Sequence, residues 1–377
     1  MGRLLAPPAR STISALLLVL LTFIVVACDS ESTSDGDATA TTSADQTSDP
    51  TQPQPATTET PGSSPTALAN GRVTLNAVGD LMLARDIITM MDERGSAYPF
   101  AAVKALLGDA DVTIANMEGT FTDRGVPAAK FYTFRTPPFH ARGLAEAGID
   151  VVSLGNNHAM DFGAQGLQDT LDALDAAGVL YSGAGANIQA ARAPVLIEKN
   201  GLRLAFLSYN GVSEATFAGP NSYGVANAEP VAISQDVAGA KASADFVIVS
   251  LHAGTEYTDT PTAQQSTLAH AAIDAGAVVV LGHHAHVLQG LQEYNGGLVA
   301  YGLGNFVFDL DSEDLATLGP RPFQTMVLKI ELTRAGVESV ATRPVFIDPA
   351  ENRPIVATGE RLREIETRIQ RLSVGLR

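Results

Sequence analysis

Short apolar runs alternate with amphipathic stretches from residue 73 toward the end of the chain. The apolar runs occupy residues 73–78, 112–115, 151–154, 202–207, 246–251, 278–281 and 298–301. Between two of these runs, Leu167, Leu171 and Leu174 fall on one face of a helix. Strands that alternate with helices predict parallel crossovers, and therefore a mostly parallel sheet that is covered by helices on both faces.

Three further amphipathic stretches predict helices at residues 101–107, 141–147 and 262–275. The tail has a different pattern. Residues 325–332 and 337–346 predict a pair of strands on either side of a turn at 334–336. Residues 359–372 predict a closing helix whose inward face is formed by Ile365, Ile369 and Leu372. We therefore expect one folded domain over residues 71–377.

The N-terminus has the layout of a secretory signal. Arg3 and Arg10 precede an apolar run at residues 13–27, which is shorter than the roughly 20 residues that span a bilayer. The following Cys28, the only cysteine of the chain, completes a pattern that resembles a bacterial lipobox. We predict a signal peptide with a lipobox at residues 1–28 and lipidation of Cys28. The alternative is an uncleaved anchor, and both interpretations place the domain outside the cytoplasm, at the outer face of the membrane.

The next segment, residues 29–70, is rich in Ser, Thr, Asp, Pro and Ala and has no Lys or Arg. Such a composition buries too little apolar surface to offset its chain entropy, so we predict a disordered acidic linker. Over the whole chain, 24 basic and 41 acidic residues give a net charge of −17. This balance excludes an ordinary nucleic-acid partner, although it remains compatible with a small cationic pocket.

Polar side chains cluster where the predicted strands end. They include five of the seven histidines of the chain. Since ligands of open α/β sheets bind outside the carboxyl ends of the strands, we expect these side chains to meet in one crevice. Carboxylate, carboxamide and imidazole groups together form a ligand set for a divalent metal ion. The residues at these ends are Asp80, Asn116, Glu118, Asn156, Asn157, His158, His252, His283, His284, His286 and Asn305.

Taken singly, most of these strand ends have an ordinary structural explanation. Gly79-Asp80 is a common turn, and Asn116 with Glu118 is equally typical of a capping pair. Three histidines within residues 283–286 are harder to explain by core packing, because buried histidines usually occur alone. By contrast, His140 and His270 have no comparable setting, and we assign both a structural role.

Several motifs in this order resemble the CapA family of capsule and poly-γ-glutamate synthesis proteins. The resemblance covers residues 73–309. Its most specific block runs from Asp150 to His158 and continues through Asp161 and Gly163. The other matching stretches are Gly79-Asp80-Leu81-Met82-Leu83-Ala84-Arg85, Asn116-Met117-Glu118, Phe134-Arg135-Thr136-Pro137-Pro138, His252-Ala253-Gly254-Thr255-Glu256-Tyr257, Gly282-His283-His284-Ala285-His286 and Gly304-Asn305-Phe306.

The resemblance implies a calcineurin-like metallophosphoesterase fold, in which two mixed sheets are flanked by helices. It also implies one or two divalent metal ions, such as Mn, Fe or Zn. By position, it assigns His158 as the general acid and a set of metal ligands, for which Asn116, Asn156 or His283 could be replacements: Asp80, Glu118, Asn157, His252, His284 and His286. The predicted substrate contacts are Asn116, Asn156, Glu256 and Asn305. Independently of the resemblance, Arg85 and Arg135 could take part in the reaction by gripping an anionic substrate in a bidentate manner; the alternative is that both are ordinary solvated or ion-paired arginines.

One departure limits what the resemblance implies about activity. True metallophosphoesterases open with Asp-x-His, whereas the matching stretch here is Asp80-Leu81-Met82. Three hypotheses therefore stay open. The protein acts in making, exporting or anchoring an anionic polymer such as poly-γ-glutamate, with the polymer or its membrane synthase as partner. Alternatively, it hydrolyses a phosphoester or a γ-glutamyl amide, or it binds the polymer without catalysis.

Overall fold

The computed structural model describes residues 71–212 and 217–376. The predicted signal peptide, Cys28 and the linker lie outside these described residues, so their assignments stay predictions. Among the described residues, no helix is both long and apolar enough to cross a membrane.

The described residues form strands and helices that alternate along most of the chain. The strands are β1 (Arg72–Leu81), β2 (Val112–Met117), β3 (Thr120–Phe121), β4 (Arg135–Thr136), β5 (Val151–Ser153), β6 (Leu180–Ser182), β7 (Ala184–Gly185), β8 (Val195–Lys199), β9 (Leu202–Asn210), β10 (Gly224–Val225), β11 (Phe246–His252), β12 (Val279–His283), β13 (Leu291–Tyr294), β14 (Gly297–Ala300), β15 (Asn305–Val307), β16 (Gln324–Thr333), β17 (Gly336–Asp348) and β18 (Arg353–Val356). The helices are α1 (Asp86–Arg94), α2 (Lys104–Leu107), α3 (Arg142–Ala147), α4 (Gly163–Ala177), α5 (Ile188–Arg192), α6 (Pro230–Ala240), α7 (Ala263–Asp274), α8 (Ser312–Leu318) and α9 (Gly359–Ser373).

The strands build two large sheets rather than one. The first has eight strands in the order β18-β17-β16-β1-β2-β5-β6, with β15 also paired to β1. The second has six strands in the order β13-β14-β12-β11-β9-β8. In the first sheet β1, β2, β5 and β6 are parallel, and β16, β17 and β18 continue the sheet from β1 as antiparallel strands. In the second sheet the central strands are parallel, and antiparallel strands form both edges. The prediction of two mixed sheets flanked by helices is confirmed.

Alternating side chains of the strands sort into three apolar layers, as the two-residue period of a strand requires. Leu204 and Phe206 of β9 lie in the same core cluster as Leu75 of β1, so the two sheets pack face to face. The intervening residues of the second sheet, such as Leu207, pack with buried side chains of α6 and α7. The outer face of the first sheet packs against α1, α3 and α4. The described residues thus form a four-layer sandwich, α/β/β/α.

Local sequence signals fix the ends of several helices. A capping box of Thr262 and Gln265 begins α7, and left-handed Gly178 ends α4. Helix α3 begins one residue later than predicted. Of the helix predicted at residues 101–107, only the part that forms α2 is helical. The residues before α2 instead form turns after a 3-10 helix at Tyr98–Phe100, which begins with a proline in its first turn.

The tail pairs as predicted and also completes the first sheet. Strands β16 and β17 form an antiparallel pair around the turn at 334–336, and β16 then pairs with β1 at the centre of the sheet. In α9, Ile365 and Ile369 are buried and Leu372 is partly buried, as the helical period predicts. The closing helix therefore covers the core between the two sheets.

Candidate metal centre

The carboxyl ends of strands from both sheets meet at one edge of the sandwich. From the first sheet, β1 contributes Asp80 and the residues after β2 and β5 contribute Glu118 and His158. From the second sheet, β11 ends in His252 and β12 leads into His284 and His286. The two sheets approach so closely here that a β-carbon on Gly155 would lie 2.6 Å from the backbone nitrogen of Tyr209. This close approach brings ligands from both sheets within reach of one another.

Asp80 is fully buried and contacts several donors. The Asn116 side-chain nitrogen donates to its Oδ1 at 2.9 Å, and the His284 backbone nitrogen donates to its Oδ2 at 3.3 Å. The Nδ1 atoms of His283 and His286 lie 3.1 and 3.4 Å from its carboxylate. Burial opposes ionisation, but these two imidazoles hold the pKa of Asp80 well below its usual value. Asp80 is therefore a carboxylate at neutral pH.

Glu118 has the opposite electrostatic setting. Both of its oxygens are buried, and neither accepts a hydrogen bond. Burial raises the pKa of Glu118 to about 8; the charges of Asp80, Glu256 and Asp161 add to this rise, and the charge of His286 opposes it. A buried carboxylate without a donor is costly, and such groups call for an ion.

Three imidazole nitrogens surround one oxygen of Glu118. The Nε2 atoms of His158, His286 and His252 lie 3.7, 3.8 and 3.9 Å from Glu118 Oε1. These separations are too long for hydrogen bonds. They do suit two ligands of one ion, since a metal ion binds nitrogen and oxygen at about 2.0–2.2 Å each. The side chains present here thus fit a divalent cation.

Two groups of side chains, which we name the metal-candidate groups, have the geometry to hold such a cation. In one group, ligand atoms of Asp80, Glu118 and His286 all lie within 4.8 Å of one another. In the other, ligand atoms of Glu256, His284 and His286 meet the same limit. The groups share His286, and Glu256 is exposed whereas the other four side chains are buried. The arrangement provides two neighbouring positions, one enclosed and one open.

The histidines of this edge differ in their protonation. Burial lowers the pKa of His284 to about 4, with help from the charge of His286, and burial also holds the pKa of His252 well below its usual value. For His286, burial is outweighed by Glu118 and Asp80, which raise its pKa to about 10. His252 and His284 are therefore neutral, which is the form that binds metal, and a cation at His286 would replace its proton.

Backbone strain is concentrated at the turn that follows β12. His284 and His286 both have a positive φ, of 81° and 55°, although neither is a glycine. Tyr257, in the facing loop, has a φ of 58°, and its backbone nitrogen donates to the carbonyl of Ala285 at 2.8 Å. Non-glycine residues in this region cost about 1–3 kcal/mol each and are concentrated at functional sites. Here the strained backbone directs two imidazoles into the metal-candidate groups.

The predicted general acid, His158, has a partner that the sequence reasoning missed. Its Nδ1 lies 2.8 Å from Oδ2 of buried Asp161, which leaves Nε2 facing Glu118. Asp161 also accepts a hydrogen bond from the backbone nitrogen of Phe134 at 2.6 Å, and the Phe134 ring stacks on His158 at 4.3 Å. Burial lowers the pKa of His158, and Asp161 opposes that shift. The spacing of three residues within one turn was the available signal for Asp161.

Lys130 is a second residue that the sequence reasoning missed. Its ammonium group pairs with Asp161, donates to the carbonyl of Asn157 at 2.8 Å and lies 3.2 Å from His158 Nδ1. The residue lies in the irregular segment between β3 and β4, where no periodicity indicates which way a side chain points. Lys130 compensates the charge of the buried Asp161 carboxylate.

Three of the predicted substrate contacts, Asn116, Asn156 and Asn305, are buried and make hydrogen bonds inside the protein. Asn156 donates to Asn116 and to the carbonyl of Met117, while its oxygen accepts from the backbone of His158. Asn305 Oδ1 lies 2.8 Å from His286 Nδ1. These contacts position residues of the site, and contact with a substrate stays a prediction.

The remaining predicted residues are divided between the cluster and its surroundings. Asn157 contacts the cluster, because its side-chain oxygen lies 2.8 Å from His252 Nε2. Arg85 lies at the rim, with its guanidinium 5.0 Å from the centre of the Phe134 ring. Arg135 follows Phe134 along the chain, and its guanidinium lies over Phe162 instead. Among the described residues, no hydrogen bond or ion pair joins Arg135 to the cluster, and its role in the reaction stays a prediction.

The two histidines assigned a structural role lie elsewhere. His140 is buried, 3.0 Å from both Ser96 and Asp92, and His270 stacks on Tyr294 at 3.7 Å. At the position of the missing Asp-x-His histidine, Met82 is fully buried in the core between the sheets. Met82 is therefore directed into apolar packing rather than toward the metal-candidate groups.

Known proteins resemble this chain over the whole site. Residues 74–310 match the family model described as "Bacterial capsule synthesis protein PGA_cap". The PGA biosynthesis protein CapA of Bacillus subtilis (strain 168) is 32% identical over 286 residues, which are 74% of this chain and 75% of that protein. The capsule biosynthesis protein CapA of Bacillus anthracis is 34% identical over 252 residues, which are 64% of this chain and 61% of that protein.

Among solved structures, a novel phosphatase from Mycoplasma pneumoniae is similar with a TM-score of 0.48 and 17% identity, over 74% of this chain and 96% of that chain. The matched family region contains every residue of the two metal-candidate groups.

Proposed function

The chain belongs to the family of bacterial capsule synthesis proteins, and from this premise we propose that it acts in the synthesis, export or anchoring of an anionic surface polymer of the poly-γ-glutamate type. The names of the two CapA relatives support this role. We also propose that the protein works from the outer face of the cytoplasmic membrane as a lipoprotein. That proposal is supported by the signal-like N-terminus and by Cys28.

We further propose that the site binds divalent metal ions and uses them. The observation that carries this proposal is Glu118, a buried carboxylate with no hydrogen-bond donor and three imidazole nitrogens around one oxygen. Asp80, Glu118 and His286 would hold one cation, and Glu256 and His284 would share His286 to hold another. Glu256, predicted as a substrate contact, would thus supply a ligand to the second position.

Hydrolysis of the polymer, or of a phosphoester, is the reaction that this arrangement favours. Bound cations would stabilise the charge that develops on an acyl or phosphoryl oxygen. Asp161 fixes the His158 ring through Nδ1 and stabilises its protonated form, so Nε2 can deliver a proton to the leaving group. Phe134 stacks on the same ring and limits its rotation. The observation specific to catalysis, as opposed to binding alone, is this oriented His158–Asp161 pair.

The experiment that tests the proposal compares the full-length protein with its Asp80→Ala and His284→Ala variants. Metal content is measured by mass spectrometry, and turnover is measured on poly-γ-glutamate and on a generic phosphodiester. His270→Ala is the matched control, because His270 lies outside the site.

We expect bound metal and turnover in the parent and in the control, and loss of both in the two site variants. Turnover of only one substrate identifies the bond that is broken. A protein that binds metal and polymer without turnover would support the binding hypothesis, whereas a metal-free and inactive parent would contradict the metal proposal.

A further inference from the structure

Three arginine side chains converge on a single carboxylate beside the metal-candidate groups. Arg368 donates to Asp259 Oδ1 at 2.8 Å, and Arg321 donates to the same oxygen at 3.1 Å. Arg371 lies 3.7 Å from the other oxygen of Asp259. We name Arg321, Arg368 and Arg371 the arginine triad. The three side chains come from two separate segments, the turn before β16 and helix α9.

The triad has more positive charge than its packing requires. Arg368 is buried, and its two terminal nitrogens donate to Gln324 at 2.9 Å and to Asp259 at 2.8 Å, so this buried guanidinium already has a carboxylate partner. Arg321 and Arg371 are not needed for this purpose, since their side chains are 46% and 68% exposed. Three positive groups around one negative group leave a local charge of two positive, in a chain whose net charge is −17.

The interactions among the three guanidinium groups agree with this excess of positive charge. Burial lowers the pKa of Arg368, and the charges of Arg321 and Arg371 lower it further against the opposing effect of Asp259. Converging like charges repel, so an additional anion at this surface would relieve the repulsion. Guanidinium groups suit this task because their planar donors match a carboxylate in a bidentate manner.

The triad is structurally continuous with the metal centre. Asp259 lies in the loop that contains Glu256 and Tyr257, and Arg321 donates to the carbonyl of Tyr257 at 3.3 Å. The neighbouring Pro322 accepts a hydrogen bond at 3.2 Å from Asn305, which in turn contacts His286. The loop that holds Asp259 therefore also contains a residue of the metal-candidate groups, Glu256, and the turn that holds Arg321 is connected to His286 through Asn305.

We propose that the arginine triad is an anion subsite that binds a carboxylate of a polyanionic chain while a neighbouring unit of that chain lies at the metal centre. This inference rests on the proposed function, because a polymer with repeated carboxylates is the ligand that occupies both places. The exposed guanidiniums of Arg321 and Arg371 contact the carboxylate of the polyanionic chain. Their positions are fixed by Asp259, which is itself held by the buried Arg368.

The test removes the two exposed charges and keeps the buried pair. Full-length Arg321→Gln/Arg371→Gln is compared with the parent and with Arg361→Gln/Arg363→Gln, which removes two charges from α9 outside the triad. Binding of short poly-γ-glutamate and poly-α-glutamate chains of equal length is measured by fluorescence anisotropy at several salt concentrations. Metal content and thermal unfolding are measured in parallel.

We expect the triad variant to bind both probes about tenfold or more weakly than the parent, as the loss of a charge-assisted contact implies. The salt dependence of its binding should also become shallower, while metal content and the control variant stay unchanged. Equal affinity of the triad variant and the parent would overturn the subsite, and so would a parent that binds neither probe. A parent that binds only the α-linked probe, with a loss in the triad variant, would support the subsite and contradict the proposed polymer.

Discussion

Single residues decide whether the site is a metal centre, and Glu118 is the most informative of them. It is a buried carboxyl group whose oxygens have no hydrogen-bond partner. We predict that Glu118→Gln lowers the bound metal at least tenfold and leaves the fold intact, because the amide matches the carboxylate in shape but lacks its charge. The measurement is metal content beside thermal unfolding, with Glu293→Gln at an exposed strand position as the control. Unchanged metal content would remove Glu118 from the site.

The same residue predicts a pH dependence for the metal-free protein. The pKa of Glu118 is raised to about 8 in the folded protein, so between its usual value of 4.5 and pH 8 the folded state binds more protons than the unfolded state. Stability therefore falls as the pH rises through this window. We expect the free energy of unfolding of the metal-free parent, relative to Glu118→Gln, to decrease from pH 5 to pH 8. Urea titrations in the presence of a chelator measure it, and a rise over the same range would contradict the assigned environment of Glu118.

The residue scale also shows what sequence can and cannot predict about a site. Asp80, His284 and His286 were predictable because each follows an apolar run that forms a strand. The supporting role of Asn305 was not, because an asparagine at a strand end has the same sequence signature whether it faces a cleft or is buried against an imidazole. Lys130 was not predictable either, because an irregular segment has no periodicity that indicates the direction of its side chains.

At the scale of elements, glycines set how closely strands approach at the site. A β-carbon on Gly79 of β1 would lie 1.9 Å from the carbonyl oxygen of Gly304, and that oxygen accepts from the backbone nitrogen of Asp80 at 2.9 Å. We predict that Gly79→Ala destabilises the protein by about 2–4 kcal/mol, because backbone must move to relieve the clash. Loss of bound metal should accompany it, since Asp80 is the next residue.

The matched control is Gly239→Ala in helix α6, where the added methyl meets nothing within 4 Å. This substitution should stabilise the protein by up to about 1 kcal/mol, because alanine is the better helix former. Chemical denaturation of both variants measures the difference. If Gly79→Ala were as stable as the parent and kept its metal, the close approach of the two segments would not be required for the site.

The sequence pattern predicts most strands of the fold but not which strands are neighbours. The apolar runs gave the central strands of both sheets, and the pair β16–β17 followed from its own alternation. The division into two sheets did not follow from the pattern, because the period of a strand shows which faces are buried and not which strand is its neighbour. Only the family resemblance indicated two sheets. The pairing of β16 with β1 likewise joins segments far apart in the chain.

At the scale of the whole molecule, charge is distributed unevenly. The chain is strongly acidic, yet the arginine triad presents cations next to the proposed metal positions. A polyanion approaching such a protein is repelled by its net charge and attracted by the triad. The triad therefore offers an acidic polymer of the proposed kind a local attraction that opposes the repulsion by the net charge.

We predict that lipidation of Cys28 holds the protein at the membrane. Cys28→Ala should release the protein from membranes or leave its signal uncleaved, because the lipid-bearing residue is removed. Cell fractionation and the mass of the N-terminal peptide measure this, with Ser63→Ala as the control. A variant that fractionates and migrates like the parent would contradict the lipobox. The metal content of the released protein should equal that of the parent, because every metal-candidate residue lies at position 80 or beyond. A loss of polymer in cells that make this variant would then come from its location and not from its site.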